Sequence, residues 1–260
     1  MIDIHSHIIQ EIDDGSTSIE ESLAILKKLK KLGFSAVIAT PHYMQGSTYA
    51  AENATKIDKI SVLYEEIEKQ KLGIKIYLGN EVFIFDELEE AIQKEKVSTM
   101  NDSRYILIEL PFGIYPVHLD HYIFTLIDHG YVPIIAHPER YSYFQKDPSK
   151  IYSLVEQGAL FQCNYSSLLG KYGTHAKETF LYLLEHNLIH FLATDLHSVE
   201  STFYERFDEI KQMILEKIKE EKWMELTETN PRKVIRNEEI EITEPIIDTK
   251  KSLFSFFGHS

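Results

Sequence analysis

Short apolar runs rich in β-branched residues recur along this chain, and between them the apolar positions spread to the three-and-four spacing of amphipathic helices. The runs Ile2–Ile4, Ala36–Thr40, Lys75–Leu78, Tyr105–Glu109, Val132–Ala136, Ala159–Cys163 and His190–Thr194 read as strands. Helices are predicted at Ile19–Leu32, Ala54–Lys71, Glu87–Glu95, His118–His129, Pro148–Gln157, His175–His186, Thr202–Lys219 and Glu220–Thr227. In the first of these, Leu23, Leu26 and Leu29 share a face, Ser18 and Glu21 form a capping-box pair, and Gly33 follows as a stop. Strand–helix alternation implies a parallel sheet. Seven such units favour a closed β/α barrel, with the open doubly wound sheet as the structural alternative.

Composition narrows the class. A chain of 260 residues with 43% hydrophobic content can bury one large core. The segment before His5 is too short for a signal peptide, and no apolar stretch approaches the roughly 20 residues that cross a bilayer, so a cytoplasmic location is expected. The single cysteine, Cys163, excludes an internal disulfide and a cysteine-based zinc site. A net charge of −14 repels a polyphosphate backbone and argues against nucleic acid as a partner. After Asn230-Pro231 the helical periodicity fades. Residues 1–243 are therefore expected to form the barrel and 244–260 a hydrophobic tail ending Leu253-Phe254-Ser255-Phe256-Phe257.

In a parallel barrel, chemistry gathers at the carboxyl ends of the strands. The first strand delivers His5 and His7, then Asp14 within Asp13-Asp14-Gly15; the second ends at Pro41-His42, the third at Asn80-Glu81 and the fourth at Glu109. The fifth ends His137-Pro138-Glu139-Arg140 and the seventh Asp195-Leu196-His197, while the sixth, ending near Asn164, offers no obvious ligand. Any one of these residues alone reads more readily as a helix cap or a hydrogen-bonded core group. Together, His5, His7, Asp14, His42, Glu81, Glu109, His137, Asp195 and His197 would crowd one rim, where buried carboxylates are costly unless cations neutralise them. Several metal ions are the economical explanation. The donors are imidazole and carboxylate without thiolate, which suits manganese, iron or zinc.

This motif series resembles the polymerase and histidinol phosphatase (PHP) superfamily. Within it, Ile2-Asp3-Ile4-His5-Ser6-His7 followed by Asp13-Asp14-Gly15 is similar to the bacterial metal-dependent tyrosine-protein phosphatases encoded with capsular and exopolysaccharide genes. The resemblance covers about residues 1–230. It implies a distorted seven-stranded barrel (the PHP fold) with three divalent metal ions, often manganese, that dephosphorylates an autophosphorylated tyrosine kinase regulating polysaccharide export. One departure stands out. Ser16 follows Asp-Asp-Gly where that family often has Pro, which bears on the rigidity of the loop.

Six charges from three divalent ions would exceed those of Asp14, Glu81, Glu109 and Asp195 and attract an anion. Arg140, and Arg206 from the next helix, are candidate phosphate ligands. The expected reaction is hydrolysis by a metal-bound hydroxide. A cysteine mechanism is excluded, because Cys-x5-Arg would place arginine where Leu169 stands. Tyr43, Phe112, Tyr115 and Tyr141 follow the ligand positions and are candidates for an aromatic lip around phosphotyrosine. The alternatives are a phosphatase of a small phosphomonoester such as histidinol phosphate and a non-catalytic scaffold; a metal-dependent amidohydrolase fits the ligand series less well.

Overall fold

The computed structural model describes residues 1–247. Its strands are β1 (Ile2–Ser6), β2 (Ala36–Ala39), β3 (His42–Tyr43), β4 (Lys75–Leu78), β5 (Glu81–Phe83), β6 (Tyr105–Glu109), β7 (Val132–Ala136), β8 (Leu160–Asn164) and β9 (Phe191–Ala193). They pair in parallel as two sheets, ordered β1-β2-β4 and β3-β5-β6-β7-β8-β9. Strands β2 and β3 follow one another across Thr40-Pro41, and β4 and β5 across Gly79-Asn80, so two predicted strands each continue into a second short segment. Pro41 has no N–H for a ladder. Instead its carbonyl accepts from Glu81 N at 3.2 Å and from Asn80 Nδ2 at 2.8 Å, which keeps the two breaks level.

The first and last strands also meet. Asp195 N donates to His5 O and His7 N to Leu196 O, each at 2.9 Å. The buried Asp3 carboxylate accepts from Thr194 N at 2.9 Å and Thr194 Oγ1 at 2.5 Å.

The helices are α1 (Ile19–Lys31), α2 (Asn53–Lys69), α3 (Leu88–Gln93), α4 (Leu119–Asp128), α5 (Ser142–Lys146), α6 (Lys150–Glu156), α7 (Thr174–Glu185), α8 (Phe203–Leu215), α9 (Glu220–Met224) and α10 (Asn230–Ile235). Helix α1 ends as predicted. Gly33 takes φ +92°, its N–H reaches Lys30 O, and Phe34 N reaches Leu29 O, the paired bonds of a Schellman stop. Its start uses half of the predicted box: Ser18 Oγ accepts from Glu21 N, but Glu21 turns its carboxylate to Thr17 and Val199 N. Helix α5, unpredicted, is followed by Asp147-Pro148, where proline disfavours helical geometry in the residue before it. A π-turn at Glu225–Thr229 joins α9 to α10, so the helix predicted at Glu220–Thr227 runs on to Ile235. No helix among the described residues is long and apolar enough to cross a membrane.

Alternate strand residues feed two separate cores. Ile106 and Ile108 pack outward under the helices, while Tyr105 and Leu107 join Ile4, Ile38, Ile134, Ala136 and Phe191 on the other face. Burial on both faces explains why these strands read as continuous apolar runs. Val234 and Ile240 also belong to the inner cluster. Residues 244–247 lie against the body, with Ile246 N on His186 O at 3.0 Å and Tyr152 Oη donating to Ile246 O at 2.6 Å. The predicted Leu253–Phe257 tail lies outside the described residues.

Candidate metal centre

One irregularity aims the first two histidines. The β1–β2 register runs Asp3↔Val37 and then Ser6↔Ala39, one residue more on β1, so this bulge turns His5 to the same side as Ile4. His42, Glu81, Glu109, Gln162 and Asn164 reach that side by ordinary alternation with Tyr43, Val82, Ile108, Phe161 and Cys163, all in the outer core. His137 and Asp195 end their strands at φ +34° and +50°, left-handed conformations rare for such residues. Strain of this kind persists where surrounding structure enforces it.

The nine predicted donors meet in one place. Glu81 Oε2 lies 3.1 Å from His5 Nε2, 3.3 Å from His7 Nε2 and 3.1 Å from His42 Nδ1, while its Oε1 is 2.8 Å from His137 Nε2. Asp195 Oδ1 lies 3.5 Å from both His5 and His7 Nε2 and 3.4 Å from His197 Nδ1. Asp14 Oδ1 is 3.5 Å from His42 Nε2 and from His197 Nε2, and Glu109 approaches His137 at 3.7 Å and His42 at 4.0 Å. Four overlapping groups have donor atoms within 4.8 Å of one another: His7, Asp14, His42 and His197; His5, His7 and Glu81; His5, His137 and Asp195; and His42, Glu81 and Glu109.

The second ring nitrogens show what the first are for. His5 Nδ1 faces Gln162 Oε1 at 2.7 Å, and His7 Nδ1 faces Asp13 Oδ2 at 2.8 Å. Both acceptors favour the proton on Nδ1 and leave Nε2 with its lone pair directed inward, the arrangement of a metal-ligating imidazole. The two Nε2 atoms then face each other at 3.2 Å beside Glu81 Oε2, a buried oxygen with no hydrogen bond despite three nitrogens around it. Lone pairs converging on a carboxylate oxygen repel unless a cation sits among them. The donor set fits divalent metal ions.

Charge tells the same story. Burial opposes charge on His5, but Glu81 and Asp195 outweigh it and push its pKa up to about 9. Burial, reinforced by Glu81, raises the Glu109 carboxyl to about 8. Burial and the nearby Arg140 bring His137 down to about 4, and burial also lowers His42 and His197. In the absence of a metal, the site gathers protons to offset its carboxylates.

Residues 1–236 match the family profile described as capsular polysaccharide synthesis, CpsB/CapC. The chain belongs to the CpsB/CapC family. CapC from Staphylococcus aureus is 37% identical over 199 residues, covering 76% of this chain and 78% of the relative. The tyrosine-protein phosphatase YwqE of Bacillus subtilis (strain 168) is 35% identical over 257 residues, covering 99% of this chain and all of YwqE. The solved structures of YwqE and of Streptococcus pneumoniae CpsB are described as those of metal-dependent tyrosine phosphatases. This fold matches with a TM-score of 0.87 at 34% identity, over 96% of this chain and 100% of the matched one.

Around the donors of this CpsB/CapC chain lies a cleft of about 320 Å³. A larger cavity of about 850 Å³ lies between α2, β4 and the 95–103 segment, without a single imidazole, so donor chemistry rather than size marks the site. Arg140 lines the cleft. Its guanidinium lies 4.8 Å from the Phe112 ring and 4.3 Å from the Tyr172 ring, and NH1 donates to Asp195 Oδ2 at 3.0 Å. Phe112 also stacks on His137 with ring centroids 5.7 Å apart.

Four predicted substrate-facing residues are placed elsewhere. Tyr43 alternates with His42 and therefore packs in the outer core beside Phe85. Tyr115 is packed edge-on against Tyr143 and Phe144. Tyr141 is fully buried, its hydroxyl accepting from Leu110 N at 2.9 Å. Arg206 lies on the exposed face of α8 and forms a fork with Glu209 at 2.8 and 2.6 Å, and it is absent from the cleft wall.

Supporting residues outside the ligand motifs also join the site. Asp13, rather than only its neighbour Asp14, joins the site, holding His7, His42 N at 2.9 Å and Gly15 N at 2.9 Å. Burial opposes its charge, but the His7 contact holds its pKa down to about 2. A Cβ on Gly15 would lie 2.2 Å from His7 O, so this turn requires glycine. Ser16, standing in for the expected Pro, donates its N–H to His7 O at 3.0 Å and so ties the loop by a bond proline lacks. The sixth predicted strand contributes through Gln162 and Asn164, whose Nδ2 holds Asp195 Oδ2 at 2.7 Å. Their period of two on a strand already predicted was the available signal. Tyr49, Lys171 and Tyr172, from loops, complete the wall.

Proposed function

We propose that this chain is a metal-dependent protein-tyrosine phosphatase. Its architecture is a distorted seven-stave parallel barrel, in which β2 with β3 and β4 with β5 each make one stave and the β1–β9 hydrogen bonds close the ring. Residues 1–243 form the catalytic domain and 244–260 its tail, and the enzyme works in the cytoplasm. The observation that carries the reading is the convergence of nine imidazoles and carboxylates, with an unpartnered Glu81 oxygen at their centre, in a cleft walled by Phe112, Tyr172 and Arg140.

His5, His7, Asp14, His42, Glu81, Glu109, His137, Asp195 and His197 would hold three divalent ions, manganese by preference, with iron or zinc accepted by the same donors. Bound there, such ions supply Lewis acidity toward phosphoryl oxygens and lower the pKa of water. The protein's part is placement. Asp195 and the two flanking rings hold the Arg140 guanidinium at the cleft, where it can take a phosphate oxygen; Lys171 adds a second cation at the rim. Phe112, Tyr49 and Tyr172 offer ring faces and edges to an aryl phosphate. A phenol leaves with a pKa near about 10, so the reaction places less demand on an acid than an alkyl ester would. Cys163 plays no part in it, being fully buried on the outer side of β8, with its thiol pKa pushed up by burial and by Glu139. The substrate is the phosphotyrosine of an autophosphorylated kinase of polysaccharide export.

The test compares Mn2+-loaded protein on a phosphotyrosine peptide, a phosphoserine peptide and histidinol phosphate. The phosphotyrosine peptide is expected to have the highest kcat/KM by at least tenfold. Preference for histidinol phosphate contradicts the assignment.

A further inference from the structure

A lysine is buried behind the metal centre. Lys56 on α2 is 1% exposed, although a long cation is among the residues least often enclosed without a counter-charge. Its contacts among the described residues are Asn80 Oδ1 at 2.5 Å, Lys96 O at 3.5 Å and the face of Tyr43, 5.7 Å from the ring centre; no carboxylate is among them. Burial lowers its pKa to about 7, and the amine donates hydrogen bonds in either protonation state.

Asn80 spends its side chain on this arrangement. Its Oδ1 accepts from Lys56 Nζ and from Ser98 N at 2.9 Å, and its Nδ2 donates to Pro41 O at 2.8 Å. Asn80 directly precedes Glu81, and Pro41 directly precedes His42. One buried amide therefore spans both strand breaks, and the residues just beyond them bring Glu81 Oε2 and His42 Nδ1 to 3.1 Å. A buried lysine whose described contacts include no carboxylate, and whose shortest bond goes to the amide spanning both breaks, acts through geometry.

We propose that Lys56 is a positioning residue for the metal centre, fixing through Asn80 the spacing of His42 and Glu81. The role rests on the functional reading above. Lys56→Met keeps most of the volume and removes the donor. The expected result is Mn2+ affinity, measured by calorimetry on metal-stripped protein, weakened about tenfold or more. At fixed Mn2+ kcat falls, KM for the phosphotyrosine peptide changes by less than about twofold, and excess Mn2+ restores most of kcat. Asn80→Ala should show the same defect, and the double variant should be no worse than either single one, since the two act in series. Wild-type Mn2+ affinity in Lys56→Met, even with a lowered melting temperature, overturns the proposal, as does additivity in the double variant. If Lys56→Met does not fold, Lys56→Leu, which also removes the donor, carries the same measurements with the same readings. Wild-type protein that takes up no Mn2+ contradicts the metal centre itself, whereas normal wild-type binding beside an unaltered Lys56→Met contradicts only the role of Lys56.

Discussion

The inner and outer halves of the donor cluster are built differently. His5, His7, Glu81, His137 and Asp195 are at most 2% exposed and Glu109 7%, and His5 and His7 have their second nitrogens held by Gln162 and Asp13. Asp14, His42 and His197 are 51%, 18% and 31% exposed at the side chain. An enclosed donor must be oriented in advance, because no water can satisfy it when the ion leaves. The exposed donors can exchange an ion for solvent. The inner half is therefore expected to set metal retention, and the outer half to complete the reactive site.

Three changes test that division. Glu81→Ala should empty the inner half and reduce turnover to background, with metal content by mass spectrometry near zero. His197→Ala should lose most turnover yet keep the inner ions; equal metal loss in both variants would erase the distinction. Asp13→Asn frees the His7 ring from its carboxylate, and metal affinity is expected to fall by about 10–100-fold. The same change should leave the apoprotein folded by circular dichroism.

The pH response tests the inner half without mutation. His5 is raised to about 9 and Glu109 to about 8, so the folded metal-free protein holds protons that the unfolded chain releases. Stability from His5 is fully present below its unfolded pKa near about 6.5 and is lost as pH rises through 9; that from Glu109 is lost between about 4.5 and 8. Above about pH 7.5, where the histidines that burial lowers are neutral in both states, chelator-treated protein should therefore melt progressively lower up to pH 9, whereas metal-loaded protein, its protons displaced, should hold its melting temperature or gain. Parallel curves would contradict proton–metal exchange at the inner donors. The smallest effect belongs to Arg206→Ala. It breaks an exposed pair within one helix, and stability should change by less than about 0.5 kcal/mol with kcat/KM unaltered.

The donors were legible in sequence because strand ends impose their own geometry. Once β-rich runs were placed, alternation decided which residues shared a face, and nine chemically similar side chains were hard to read separately. Aromatic neighbours carried no such rule. Tyr43 follows His42 directly, and that adjacency is what turns it away from the cleft, while Tyr141 lies one residue past a short 3-10 turn (Pro138–Arg140) that sends it inward. The strand breaks at Thr40-Pro41 and Gly79-Asn80 were missed because their hydrogen bonds run through a side chain, Asn80, that the local pattern does not show. Arg206 follows helical logic: on α8 it finds Glu209 one turn away before it finds any phosphate. The Asp13–His7 contact depends on a turn shaped by Gly15, well past the end of β1, that the strand pattern does not show.

Manganese anomalous scattering from crystals of the loaded protein tests the central claim most directly. The expected result is three peaks inside the ring of His5, His7, Asp14, His42, Glu81, Glu109, His137, Asp195 and His197, each within bonding distance of donors from at least two strands. A loaded, active crystal with no peak in that ring, or with its metal held by other residues, would contradict it.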